Sequence, residues 1–151
     1  MSWLEKLTPP QITTDARTKS VPEGLWVQCA NCQSPIYQPE LTRNLHVCAK
    51  CNHHHLMPVR ERLGAFLDIM PQTEIAANLK PVDILRFADT KPYTQRIKDA
   101  TKASHEKEAL IVIQGAIEGI GVVAAAFEFD FIGGSMGSVV GEKFVRGVDA
   151  A

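Results

Sequence analysis

No apolar run in the sequence approaches the ~20 residues that a membrane-spanning helix needs. Its start, MSWLEKLTPP, has neither the basic leader nor the long apolar core of a secretory signal. No membrane association and a cytoplasmic location are therefore expected, and in that compartment four cysteines do not read as a disulfide framework. Dense charge of one sign is also missing. Sixteen Lys and Arg stand against seventeen Asp and Glu, and dividing the chain at residue 60 leaves six basic and four acidic residues before it, ten and thirteen after. So mild an asymmetry names no polyanionic partner. Neither the phosphate loop G-x-x-x-x-G-K-[ST] nor G-x-G-x-x-G occurs, and there is no internal repeat or low-complexity tract. What remains is ordinary globular composition, 45% hydrophobic and 22% charged over 151 residues. A single core of that length would bury ~70% of the unfolded surface.

Three segments are expected. Residues 1–24 carry Pro9, Pro10, Pro22 and Gly24 around TTDARTKS and read as a flexible N-terminal arm, with Trp3, Leu4 and Leu7 as one anchoring turn or a frayed end. Residues 25–58 hold all four cysteines and four of the five histidines and form one small module. From residue 59 to 151 the texture is that of a mixed α/β domain. Leu63, Phe66, Leu67 and Met70 recur at helical spacing, with Pro71 as the stop. Tyr93, Ile97 and Ala100 share a second helical face, while LKPVDILRFAD is ambiguous. EALIVIQG and VVAAAFEFDF read as strands joined by AIEGIG, with Phe127, Phe129 and Phe131 on one face and Glu128 and Asp130 on the other.

Cys29 and Cys32, then Cys48 and Cys51, spell C-x2-C-x15-C-x2-C. Two residues between cysteines let a tight knuckle aim both sulfurs at one point, and two knuckles complete a tetrahedral zinc site. The intervening QSPIYQPELTRNLHV is long enough to go out and return as a strand pair, the plan of a zinc ribbon. A redox CxxC needs only one pair and a βαβ setting. Four thiolates leave no open coordination position, so the zinc is structural, one per chain, and metal binding supplies folding energy to a module with little core. His53, His54 and His55 come after a complete ligand set; they read as a solvated or partner-facing patch, a ligand role being the alternative.

In IGGSMGSVVG, Gly133, Gly134 and Gly137 are able to adopt positive φ and expose backbone N–H groups. With Ser135 or Ser138 as a helix cap, those groups would sit at a positive helix end, suited to a phosphate or an oxyanion. A close-packed strand-to-helix turn is the alternative. Glu128 and Asp130 have no metal or nucleophile motif beside them and are given no role.

VPEGLWVQCANC, ELTRNLHVCAKCNHH, RERL, FLD, EALIVIQG and above all VVAAAFEFDFIGGSMGSVVGEKFVR resemble the β-subunit family of bacterial acetyl-CoA carboxylase carboxyltransferases, from about residue 20 to the last residue. The resemblance implies a zinc ribbon and, after it, a crotonase-like ββα-spiral domain, here its first part. It implies an α2β2 assembly with the carboxyltransferase α subunit, in which carboxyl passes from carboxybiotin on the biotin carboxyl carrier protein to acetyl-CoA. The product is malonyl-CoA for fatty-acid biosynthesis, and ATP is used only by the biotin carboxylase partner. Gly133, Gly134, Ser135, Met136 and Gly137 match the family's first glycine loop and are the implied acyl-CoA-site residues. The family's later glycine pair, its oxyanion turn, maps onto no residue here. No catalytic residue is assigned, and the chain is expected to be the N-terminal half of a subunit, inactive alone.

A different class of reading is a binding or assembly module. Arg43, Lys50 and Arg60 with the nearby histidines would face nucleic acid or a partner subunit, but only Trp26 and Tyr37 in the ribbon offer rings for base stacking.

Overall fold

The computed structural model describes residues 24–69 and 71–151. Residues 1–23 of the expected N-terminal arm, and Met70, lie outside the described residues.

In the cysteine module, β1 (Trp26–Gln28) pairs antiparallel with β2 (Pro35–Tyr37) in the register Trp26↔Tyr37, Val27↔Ile36 and Gln28↔Pro35. The segment between the knuckles does not return as a second strand. It enters the short helix α1 (Gln38–Arg43), because Pro39 has no N–H to lose in a first turn and Leu41 buries inward. The return is a single antiparallel bridge, Val47↔His54. Cys29, Ile36, Leu41 and Cys48 form the whole core of this unit.

Helix α2 (Val59–Phe66) comes directly after this module. It ends earlier than its apolar spacing predicts, since Leu67 is already extended. Val59, Leu63 and Leu67 are buried together, whereas Phe66 is 57% exposed and lies off the buried stripe. The larger sheet has the order β3-β4-β5, antiparallel throughout, from β3 (Thr73–Glu74), β4 (Leu110–Ile117) and β5 (Ile120–Phe127). Residues 79–90 form no helix and no strand beyond the isolated bridge Ala88↔Pro92, and they leave Ile84 and Leu85 exposed. Helix α3 (Tyr93–Ser104) presents Ala100 to the core and ends on His105 in the left-handed region.

β4 and β5 extend through the predicted connection and meet in a two-residue turn. Glu118 and Gly119 have φ of 50° and 79°, the paired positive values of a type I′ hairpin. Asp68 receives both turn N–H groups on its carboxylate, at 3.1 and 2.9 Å. β4 is apolar on both faces because both are covered. Ile111 and Ile113 meet α2, while Leu110 and Val112 meet Phe131 and Val140 of the opposite layer. That layer includes α4 (Ser138–Ala150), which approaches so closely that a Cβ on Gly147 would lie 3.0 Å from Val112.

The predicted strand through Phe131 stops at Phe127. Glu128 N–H makes a last bond to the Ala109 carbonyl at 2.7 Å and the chain then turns, so Phe131 is buried while Phe129 is 51% exposed. The single Phe127–Phe129–Phe131 face therefore does not form.

Candidate metal centre

Each CxxC pair is shaped by the same local hydrogen bonds. In the first knuckle Gln33 N–H donates to the Cys29 carbonyl at 3.0 Å and Cys29 N–H to the Ser34 carbonyl at 3.0 Å. In the second, Asn52 N–H donates to the Cys48 carbonyl at 2.9 Å and Cys48 N–H to the His53 carbonyl at 2.8 Å. Gln33 and Asn52, each four residues after a leading cysteine, have φ of 58° and 57°. These two left-handed residues close the loops and leave the two pairs of sulfurs facing one another.

The four sulfurs lie within 4.8 Å of one another. Cys29 and Cys51 are 3.7 Å apart, Cys32 and Cys48 3.8 Å. A tetrahedron with Zn–S of ~2.3 Å has sulfur–sulfur edges of ~3.8 Å, so the cluster has the dimensions of a zinc-thiolate site. The thiols are electrically inequivalent without a cation. Hydrogen bonds from the Ser34 side chain and backbone bring Cys32 down to about 6, and the Asn31 side chain lowers Cys51. At Cys29 the Cys32 backbone N–H favours the thiolate, yet burial and the neighbouring thiols outweigh it and hold the thiol up at about 11. A divalent ion resolves that conflict by neutralising charge that the four sulfurs cannot share alone. The donor set fits zinc, held by Cys29, Cys32, Cys48 and Cys51, and zinc so held has no vacant position for substrate.

Residues 26–51 match the family model of the acetyl-CoA carboxylase zinc finger domain. The ribbon is of the acetyl-CoA carboxylase type. Among the described residues, the group of side chains placed to hold a metal is the four cysteines, and His53, His54 and His55 are not part of it. His53 and His55 instead stack edge to face at 5.0 Å.

Contacts that no spacing announces hold charged side chains in place, and one of them ties the ribbon to the α/β domain. His46 is buried, and its Nε2 lies 2.6 Å from Oε2 of Glu61 on α2. Arg60, expected from sequence in an outward basic patch, forks onto Glu106 through Nε and Nη2 at 2.5 and 2.7 Å and reaches Glu74 at 3.0 Å. Glu106 first and Glu74 second raise the Arg60 pKa further, so this half-exposed guanidinium is already paired with two carboxylates of its own chain. Lys143 is a residue that sequence reasoning does not single out. It is 1% exposed, its ammonium donates to the Leu110 carbonyl at 2.9 Å, and burial lowers its pKa. Its sequence neighbours Glu142 and Phe144 give no sign of that.

The glycine loop is a 3₁₀ turn, Ile132–Gly134, and then an extended step into α4. Gly133 and Gly134 have φ of 65° and 74°, while Gly137 is at −90° and is itself the N-cap. Neither Ser135 nor Ser138 caps the helix, since Ser138 already belongs to it and no side chain bonds the first turn. The Gly134 and Ser135 N–H groups are used within the turn, on the Phe131 and Ile132 carbonyls at 3.0 and 3.2 Å. The Gly134 donor is therefore spent within the turn, while the first turn of α4 has no side-chain cap on its N–H groups. Ser135, Met136 and Gly137 are exposed beside them. A small cavity of about 60 Å³ adjoins that turn, lined by Tyr93, Glu108, Phe131 and Ser138 among others. Burial first, and the Glu108 and Asp83 carboxylates second, raise the Tyr93 pKa.

Proposed function

We propose that this chain is part of the β subunit of a bacterial-type acetyl-CoA carboxylase carboxyltransferase. The observation that carries the reading is an acetyl-CoA carboxylase-type ribbon leading directly into a domain that contains a β4–β5–glycine turn–α4 unit. Order matters here: β-hairpin then helix is one ββα unit, the element a crotonase-like spiral repeats. The ribbon is its metal-folded module, covering residues 25–58, and residues 59–151 are the first portion of the transferase domain.

In this reading the reaction removes a methyl proton from acetyl-CoA, and enolate charge develops on the thioester oxygen. Backbone N–H donors that point at this oxygen lower the barrier by stabilising the charge where it appears. The free N–H groups at the start of α4, with Gly133, Gly134, Ser135, Met136 and Gly137 beside them, shape the acyl-CoA side of that site. The donors for the oxyanion itself come from a later glycine turn and from the α subunit. Carboxybiotin on its carrier protein delivers the carboxyl group, biotin carboxylase regenerates it with ATP, and malonyl-CoA leaves. Zinc takes no part in the chemistry. Engagement of Arg60 by Glu74 and Glu106 weighs against the nucleic-acid alternative.

The test is association. Zinc-loaded chain mixed with a carboxyltransferase α subunit should sediment as a complex, Cys48→Ser should release zinc and loosen it, and the chain alone should transfer no carboxyl group. Wild-type chain that keeps its zinc and fails to associate would remove the reading.

A further inference from the structure

Glu108 stands just before β4 and is only 5% exposed. Its Oε1 folds back onto the Ala109 N–H at 2.7 Å, and among the described residues its Oε2 has no hydrogen-bond partner. A buried carboxylate is costly unless something polar meets it. Strand alternation says on which side that must happen. Glu108 shares the face of Leu110 and Val112, which pack on Phe131 and Val140 of the α4 layer. Glu128, at the same open end of the hairpin, belongs to the opposite face and takes the Val59 N–H of α2 at 3.0 Å. Each helical layer thus has one buried glutamate at this end of the hairpin.

On the α4 side the contact is not direct. No side chain bonds the first turn of α4, and the first bond within the helix is Gly141 N–H on the Gly137 carbonyl at 3.2 Å. The Ser138 and Val139 N–H groups precede it, at the positive end of the helix dipole. Glu108, Tyr93, Ser138 and Val139 all line the cavity of about 60 Å³. A buried water needs only ~10–15 Å³ and two to four polar partners. Here a carboxylate that accepts and backbone groups that donate border one space of sufficient size, and the Tyr93 and Ser138 hydroxyls do either. The Glu108 charge also reaches Tyr93, whose pKa is raised by burial first and by this carboxylate second.

We propose that Glu108 is a positioning residue for the start of α4, acting through water held in this cavity. The carboxylate accepts from the water, the water accepts from the Ser138 or Val139 N–H, and the helix start is fixed against the end of β4. Gly137 is the N-cap, with Ser135 and Met136 just before it, so the same contact sets where this exposed backbone lies. In the carboxyltransferase reading, on which this last step alone rests, that backbone borders acyl-CoA. Glu108 then holds it in place without touching substrate.

Hydrogen exchange on the zinc-loaded 151-residue chain tests the contact. Glu108→Gln keeps the shape and removes the charge, and Glu108→Ala removes both. In each, the Gly141 amide should exchange about fivefold faster, the size of one lost helix cap, while the Ile111 and Ile113 amides of β4 stay unchanged. The second readout is the Tyr93 phenol, followed by ring NMR with Tyr37→Phe removing the other tyrosine. Glu108→Gln should shift its titration downward because a negative neighbour is gone, and burial should keep it above the ordinary value. In a complete β subunit carrying these residues, assembled with its α subunit, Glu108→Gln should raise the KM for acetyl-CoA with kcat little changed. An unchanged Gly141 amide in both variants, β4 amides that speed up by the same factor, or an unmoved Tyr93 overturns the proposal. An unchanged KM overturns its link to acyl-CoA. Wild type that forms no complex removes the carboxyltransferase reading, and the exchange result still decides the role of Glu108.

Discussion

The Glu128 carboxylate accepts the backbone N–H of Val59 at 3.0 Å, across 69 residues of sequence. Val59 opens α2, so a buried acidic group sits where the helix leaves its N–H groups unpaired and its dipole is positive. The same carboxylate takes the Asp130 N–H at 3.1 Å and turns the chain out of β5. One side chain thereby joins the start of α2, just after the ribbon, to the end of the hairpin. Glu128→Ala should cost about 1–2 kcal/mol in urea denaturation, and Glu128→Gln less. Equal stability of Glu128→Ala and wild type would refute the capping role.

Removal of the metal should unfold the ribbon selectively. Its core is four residues, two of them cysteines, so it has little else to hold it. Structural zinc contributes on the order of 10–16 kcal/mol in zinc-finger peptides. Chelation or Cys48→Ser should abolish amide protection at Cys29, Gln33, Cys48 and Asn52. β4, packed between α2 and the α4 layer, should keep its protection. Hydrogen exchange before and after chelation reads both effects.

Acid should weaken the Asp89–Arg96 contact in a defined window. Arg96 Nη2 lies 2.6 Å from both carboxylate oxygens, and these bonds, with the Lys91 N–H second, lower the Asp89 pKa to about 2. The folded value is below the unfolded one of ~3.9, so the unfolded chain binds the extra proton. The contribution is complete above about pH 4 and is lost as pH falls toward 2. The difference in stability between wild type and Asp89→Asn should shrink across that interval, and the two should converge at its acid end. Because the pair is exposed, the difference is small.

Gly147 should tolerate no branched side chain. A Cβ there meets Val112 Cγ1 at 3.0 Å and Val123 Cγ1 at 3.7 Å, so Gly147→Val must push α4 off the sheet. A loss of about 1–3 kcal/mol is expected from such overpacking. Gly141, with open space around its Cβ position, is the control. Gly141→Ala should be neutral or stabilising, because alanine favours the helix, and thermal melts of the pair of variants make the comparison.

Local chemistry is legible where a feature and its partner lie close in sequence. The knuckles, the α3 face with Ala100 and the β4–β5 hairpin all arise from spacing, apolar pattern and turn residues. Sequence and structure part where a distant group intervenes. The FEFDF alternation has the right period for a strand, but capping of α2 by Glu128 ends the strand first. Arg60 has the composition of a free basic residue, and Glu106, 46 residues away, pairs with it while its side chain stays half exposed. The apolar spacing of α2 includes Phe66, which stays exposed because periodicity does not say where covering side chains stop.

The sequence alone determined the four-thiolate centre, because two CxxC pairs impose their geometry through bonds within a few residues. It also determined the hairpin, through Glu118 and Gly119 at the turn. Only the tertiary structure decided which charges are buried and which end of a helix a carboxylate caps. Those outcomes depend on desolvation and on contacts between segments tens of residues apart, and no periodicity along the chain records them.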